Sequence, residues 1–248
     1  MCIRDRIKKD KKKFDLKNSD KVIKKLNFKL TNDQKKTLIE INNDLTSKSK
    51  MFRLLQGDVG SGKTIVSLIS ALNVVNSGYQ VALMAPTEIL ARQHFVLAKK
   101  IFPTQINLAL LSSKSENKIK KNIIDNLKTK KIDMVFGTHA IFQKKITFSN
   151  LGFIIIDEQH KFGVRQRKLL SDKGGKNCDV LLMSATPIPR TLTMSIYGDM
   201  DVSIIKEKPN NRKEVKTYSK LESKIEDVIK FVKKEIFEGN QIFWVCPL

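Results

Sequence analysis

Eight consecutive residues, Gly57-Asp58-Val59-Gly60-Ser61-Gly62-Lys63-Thr64, combine three glycines, a lysine and two hydroxyls at a spacing suited to holding phosphate. They match G-x-x-x-x-G-K-[ST], which average residue usage would produce by chance in a chain this long on the order of once in a hundred. Backbone N–H groups of such a loop wrap phosphate oxygens, and a helix starting at its end adds a favourable dipole. Lys63 then reaches the β- and γ-phosphates, and the Thr64 hydroxyl ligates Mg2+. Downstream, Phe153-Ile154-Ile155-Ile156-Asp157-Glu158-Gln159-His160 delivers two adjacent carboxylates at the end of an apolar run. Asp157 suits holding the magnesium through water, and Glu158 suits orienting and deprotonating an attacking water. The competing reading is an ordinary acidic pair closing a strand, and the phosphate loop upstream weighs against it. In Ser184-Ala185-Thr186, two hydroxyls follow an apolar run and can bond the acidic pair or the γ-phosphate region. Lys63, Asp157 and Glu158 are thus the catalytic candidates of a nucleoside triphosphatase. A guanine-reading Asn-Lys-x-Asp is absent, since Asn117-Lys118 is followed by Ile119-Lys120. That counts against a GTPase.

These motifs need elements to hold them in register. Short apolar runs at 51–55, 80–85, 106–111, 132–136, 152–156 and 180–183 read as strands. Between them, 64–75, 88–101 and 116–127 carry helical patterns, and Thr31 can cap a helix on which Leu38, Ile41 and Leu45 recur. Strands without polar alternation, interleaved with helices, predict a parallel α/β sheet covered on both faces. The phosphate loop and both other motifs then follow strand ends, where ligands sit in such sheets. Residues 1–25 hold eleven Lys or Arg against four Asp, and are expected to be a solvated basic segment, a remnant or linker. Near Lys206-Glu207-Lys208-Pro209-Asn210-Asn211 the pattern breaks into a polar link, followed by a strand at 214–218, a helix at about 221–237 and a strand at 241–246. An apolar strand so near the last residue, Leu248, suggests a truncated second domain.

The chain has 248 residues and a formal net charge of +22, which favours polyanionic partners through counterion release. Lysine, asparagine and isoleucine are all abundant, so general compositional bias is the competing explanation. Cys2, Cys178 and Cys246 form no CxxC pair, which suggests reduced thiols in the cytoplasm. No apolar run approaches the ~20 residues of a membrane span. Trp244 and three tyrosines are too few for an evident stacking platform for single strands.

Read together with their spacers, the motifs resemble a known set. Gly57–Thr64, Ala85-Pro86-Thr87-Glu88-Ile89-Leu90-Ala91, Gly137-Thr138-His139-Ala140, Asp157-Glu158-Gln159-His160-Lys161-Phe162-Gly163-Val164 and Met183-Ser184-Ala185-Thr186-Pro187-Ile188-Pro189-Arg190-Thr191 look like successive motor motifs of RecG-type superfamily-2 helicases. Tyr197-Gly198-Asp199-Met200-Asp201 and Trp244-Val245-Cys246-Pro247-Leu248 continue the match, which runs from Phe28 to the C-terminus. The resemblance implies a P-loop, RecA-like lobe over 26–205 and the truncated start of a second RecA-like lobe over 206–248. It implies ATP with Mg2+ as the nucleotide, with Gln34 reading adenine beside Gly57, Gly60, Ser61 and Gly62. It places Thr87, Glu88, Arg92, Gly137, Thr138 and His139 against the DNA backbone. His160, Ser184 and Thr186 become coupling residues, and Phe162-Gly163-Val164-Arg165-Gln166-Arg167 is a DNA-facing or coupling loop, or else a solvated helix start. The implied function is an ATP-dependent helicase or translocase on branched or duplex DNA, in repair and recombination. The alternatives are a transcription–repair coupling translocase, whose family commonly has glutamate where Gln159 stands, and a non-catalytic ATP- and DNA-binding fragment.

Overall fold

The computed structural model describes residues 8–10, 12–14, 17–112, 116–143, 145–157, 175, 177–186, 200–207 and 216–246. The chain divides into two compact units, Met1–Asn210 and Asn211–Leu248.

In the first unit helices α1 (Lys17–Lys25) and α2 (Asn32–Thr46) precede strand β1 (Phe52–Gly57), and α3 (Lys63–Asn76) leads to β2 (Gln80–Met84). There follow α4 (Glu88–Ile101), β3 (Leu108–Leu111), α5 (Asn117–Lys128), β4 (Met134–Gly137), β5 (Leu151–Ile156), β6 (Asp179–Ser184) and β7 (Asp201–Ile205). The strands form one sheet in the order β3-β4-β2-β5-β6-β1-β7. All its pairings are parallel.

Parallel strands joined by helical crossovers bury both faces, and the side chains alternate accordingly. Leu55, Leu83, Phe136, Ile155 and Leu181 join one core with residues of α2, α3 and α4. Leu54, Met84, Val135, Ile154 and Leu182 join the other, which contains Leu127 of α5. Hence the runs carry no polar alternation. Helix α3 fits the same logic, with twelve of its fourteen residues buried.

The helix starts are locally encoded. Thr31 caps α2 by accepting from the Gln34 backbone N–H, and the Gln34 side chain accepts from the Thr31 N–H in return. Thr87 caps α4 by accepting from the Leu90 N–H. At the far edge, Arg53 of β1 joins α2 and β7 through Asp44 at 2.7 Å and the Ser203 hydroxyl at 2.8 Å.

The basic N-terminal segment departs from its expected solvation. Lys9 Nζ donates to the Asp179 carboxylate at 2.6 and 2.7 Å, and Lys12 Nζ donates to it at 2.5 Å. The side chains of all three are fully buried. Lys9 also donates to the Asp44 and Leu45 carbonyls at the end of α2. Val22 of α1 is buried in the core. Part of a like-charge block packs here because one buried acid pairs with two of its lysines.

The second unit carries helix α6 (Ile225–Phe237), none of whose residues is buried. The runs expected as strands differ: residues 216–218 and 241–246 form no ladder. A strand exists only by pairing, and no described residue of this unit offers a partner edge.

Candidate functional site

Parallel strands point their carboxyl ends to one edge, so β1, β6 and β5, which lie side by side, deliver the three chemical motifs together. At strand spacing, the ends of β1 and β5 stand about 10 Å apart with the end of β6 between them.

The loop after β1 turns on two left-handed glycines, Gly60 at φ 79° and Gly62 at φ 92°, and Gly62 caps α3. The Lys63 side chain is folded into the loop, donating to the Gly57 carbonyl at 2.5 Å and the Asp58 carbonyl at 3.0 Å. Phosphate oxygens offer the same ammonium stronger, charged acceptors. Ser61 Oγ is buried with no hydrogen-bond partner among the described residues, an unspent group within the loop. Gln34 is buried, and its Nε2 donates to the Ser61 carbonyl at 2.7 Å while its Oε1 accepts from the Thr31 N–H at 3.0 Å. A primary amide has a second hydrogen and a second lone pair, so Gln34 keeps one donor and one acceptor for a base edge.

Asp157 follows β5 and its backbone N–H donates to the Met84 carbonyl of β2 at 2.8 Å. One carboxylate oxygen lies 2.7 Å from His94 Nε2, and both side chains are buried. A carboxylate oxygen accepts, so Nε2 carries the hydrogen. The second oxygen, with the Thr64 hydroxyl, is a hard-oxygen set of the kind magnesium takes, where one or two carboxylates are completed by water and substrate phosphate. The residues therefore fit the ion. Ser184 Oγ accepts from the Thr186 N–H at 3.2 Å and pairs with the Thr186 hydroxyl at 3.1 Å, closing a small turn beside β1.

On the other half of the edge, β2 and β4 are neighbours, and the Ala85 N–H donates to the Gly137 carbonyl at 2.9 Å. Thr87 and His139 are exposed, and Thr138 is half-buried at the start of the turn His139–Phe142. Gly137 is sterically required: a β-carbon there would stand 2.6 Å from the Leu111 carbonyl oxygen. Arg92 is exposed, whereas Glu88 turns to Ser112, whose hydroxyl donates to it at 2.5 Å, and to Arg92 at 3.7 Å.

Glu158 and His160 lie outside the described residues, as do the 162–167 loop, Pro187–Thr191 of the Ser-Ala-Thr motif and the first part of the Tyr197–Asp201 motif. Trp244, Val245 and Cys246 are exposed in the second unit. His94 was not singled out from the sequence. Its signal was periodicity: Ala91, His94 and Ala98 form the buried stripe of α4, and a histidine there needs a partner. Cys178 is a free, buried thiol whose pKa desolvation pushes up to about 12. It is inert as a nucleophile at neutral pH. No helix among the described residues is long and apolar enough to cross a membrane.

A sheet that presents a glycine–lysine phosphate loop, a Ser-Ala-Thr turn and a buried aspartate on adjacent strand ends is the core of a helicase motor lobe. The DEAD/DEAH box helicase family profile matches residues 31–195, about two thirds of the chain, and the chain belongs to that family. Within it, the chain is 52% identical over 230 residues to the ATP-dependent DNA helicase RecG of Aquifex aeolicus (strain VF5), covering 92% of this chain and 29% of that protein. It is 47% identical to RecG of Thermotoga maritima over 238 residues, covering 96% of this chain and 30% of that protein. A solved structure of RecG bound to a three-way DNA junction superposes with a TM-score of 0.84 at 44% identity, over 96% of this chain and 32% of that one. The DEAD-box helicase Mss116 bound to ssRNA and UDP-BeF shares the fold, with a TM-score of 0.66 at 22% identity, over 90% of this chain and 51% of that one. The chain thus spans about a third of the length of these RecG relatives.

Proposed function

We propose that this chain is the ATP-binding motor lobe of a RecG-type DNA helicase, using Mg2+ and ATP to move on branched or duplex DNA in repair and recombination. The observation that carries the reading is the single sheet edge: phosphate loop, Ser-Ala-Thr turn and Asp157 on β1, β6 and β5, with Thr87 and Gly137–His139 on the neighbouring β2 and β4. The relatives named RecG favour it over the transcription–repair coupling alternative. Residues from 206 on are read as a linker and the start of a second RecA-like lobe, and the free cysteines fit a cytoplasmic setting.

In this reading the Gly57–Thr64 backbone holds the phosphates, Lys63 exchanges its loop carbonyls for β- and γ-phosphate oxygens, and Gln34 uses its spare donor and acceptor on adenine. Thr64 and Asp157 hold magnesium, which when bound neutralises charge on the phosphate oxygens. Glu158 orients the attacking water and takes its proton. Ser184, Thr186 and His160 carry nucleotide state toward the DNA side. There Thr87, Thr138, His139 and the Gly137 backbone give sequence-independent phosphate contacts, as small hydroxyls and loop N–H groups do. Arg92 adds a cation. A carboxylate repels phosphate, so Glu88 serves by holding Arg92 and Ser112.

The test is nucleotide binding and turnover by the purified chain at low salt, with and without forked DNA, beside Lys63→Ala and Glu158→Gln. Wild type should bind Mg·ATP with weak hydrolysis, Lys63→Ala should not bind, and any DNA-stimulated turnover should vanish in Glu158→Gln. A Lys63→Ala chain that binds Mg·ATP as tightly as wild type would refute the phosphate-loop assignment.

A further inference from the structure

The sheet edge divides into a nucleotide half, β5-β6-β1, and a half carrying Thr87 and Gly137–His139, β4-β2. The boundary runs between β2 and β5. Among the described residues, a side-chain bond crosses it at the carboxyl end of the sheet: His94, on the helix that follows β2, to Asp157, just after β5. His94 sits between Ala91 and Ala98 on the buried stripe of α4. The alanines let the helix lie close to the sheet, and the histidine spans the remaining distance. The opposite side of the same helix carries Arg92, its first turn carries Glu88, and its N-cap is Thr87. A shift or roll of α4 caused by a ligand at its N-terminus therefore moves the imidazole that holds one oxygen of Asp157.

We infer that His94 is a positioning residue that sets the Asp157 carboxylate according to the placement of α4, so that DNA at the α4 N-terminus and Mg·ATP at the phosphate loop bind interdependently. The inference rests on the functional reading above and adds to it the path of coupling. Packing alone would ask only that the space between α4 and Asp157 be filled. Coupling asks for a hydrogen-bond donor at that point. Binding linkage is reciprocal, and a typical coupling changes affinity by about 5–150-fold.

The experiment measures the affinity of a fluorescent ATP analogue with Mg2+ for the full chain, with and without saturating three-way junction DNA. The readout is the ratio of the two affinities, which cancels any uniform loss of binding. Wild type is expected to give a ratio of at least about fivefold. His94→Ala and His94→Leu should bring it within about twofold of unity, while His94→Gln, which keeps a side-chain N–H, should retain most of it. If His94→Ala does not fold, the Leu and Gln variants carry the comparison, since leucine fills space without donating. A wild-type ratio near unity with both ligands bound, or a His94→Leu ratio equal to that of wild type, would overturn the inference and leave the functional reading standing. A wild-type chain that binds neither ligand would overturn both.

Discussion

Asp179→Asn tests whether the basic N-terminal segment belongs to the folded lobe. Asp179 is fully buried at the start of β6, where it accepts from Lys9, Lys12 and the Met51 backbone N–H, the last at 2.7 Å. Burial outweighs the attraction of Asp179 and holds the Lys9 ammonium below its ordinary pKa. Removing one partner of a buried ion pair costs about 3–5 kcal/mol, because the remaining charge is left uncompensated. Here two ammonium groups would share a neutral amide. At a urea m value of about 3 kcal/mol/M, the midpoint of the first unit's unfolding should fall by about 1–2 M. Replacing the whole triad, as Lys9→Met, Lys12→Met and Asp179→Leu, should recover most of the loss. It should still leave about 1–3 kcal/mol for the unsatisfied Met51 N–H. Urea is the denaturant to use, since it is uncharged and leaves the surface charges of this cationic chain unscreened. An Asp179→Asn midpoint within experimental error of wild type would refute the reasoning, and would return the segment to the solvated state its charge suggests.

Gly62→Ala should destabilise the lobe by about 1–3 kcal/mol, since φ is 92° and the new β-carbon would collide with Gln34 Nε2. It should also weaken Mg·ATP binding, and wild-type affinity would dissociate the Gln34–Ser61 bond from loop shape. Asp33 accepts from the Glu207 N–H at 2.9 Å and the Lys206 N–H at 2.8 Å, and these bonds, that of Glu207 above all, hold its carboxyl below the usual value. Its contribution is therefore complete above the unfolded value near pH 4 and is lost as pH falls through the lower folded value. Thermal melts should find Asp33→Asn less stable than wild type at pH 7, with the difference shrinking as pH falls below about 4; a deficit that stays constant into acid would assign the loss to something other than the carboxylate. DNA affinity should fall steeply with salt, and Arg92→Ala should reduce the log–log slope by about one. Lost affinity with an unchanged slope would confine Arg92 to its pairing with Glu88.

What was legible had a local cause. The apolar runs of β1, β2, β5 and β6 could be read because both faces of those strands are covered, so their few polar residues, such as Arg53 and Gln80, do not alternate with the apolar ones. The α2 and α4 starts were legible because Thr31 and Thr87 cap them through bonds three residues long. The strand β7 was missed: it pairs only with β1 at the sheet edge, and Asp-Val-Ser-Ile-Ile is only partly buried, so it lacks the continuous apolar signature. The run 241–246 failed in the opposite way, having a strand's composition and no ladder. The Lys9–Asp179–Lys12 triad joins residues 170 positions apart, and no window of sequence contains both ends of such an interaction.

His94 belongs between these cases, and it marks how far periodicity reaches. A helix of fourteen residues with two small residues and one histidine on its buried stripe already requires a polar partner from the sheet, because an unpaired imidazole nitrogen in that position would cost the desolvation of a hydrogen-bonding group. Periodicity thus dictates that a partner exists. Which partner follows from topology: α4 leaves from β2, and β2 lies between β4 and β5. Of the residues just beyond those two neighbouring strands, Thr138 follows β4, and Asp157 follows β5. Only the second is an anion, and a carboxylate is the stronger acceptor for an imidazole N–H. The contact between the nucleotide half and the α4 half of the edge is therefore a consequence of strand order, and any chain threading this order with a buried histidine at the seventh position of α4 should make it.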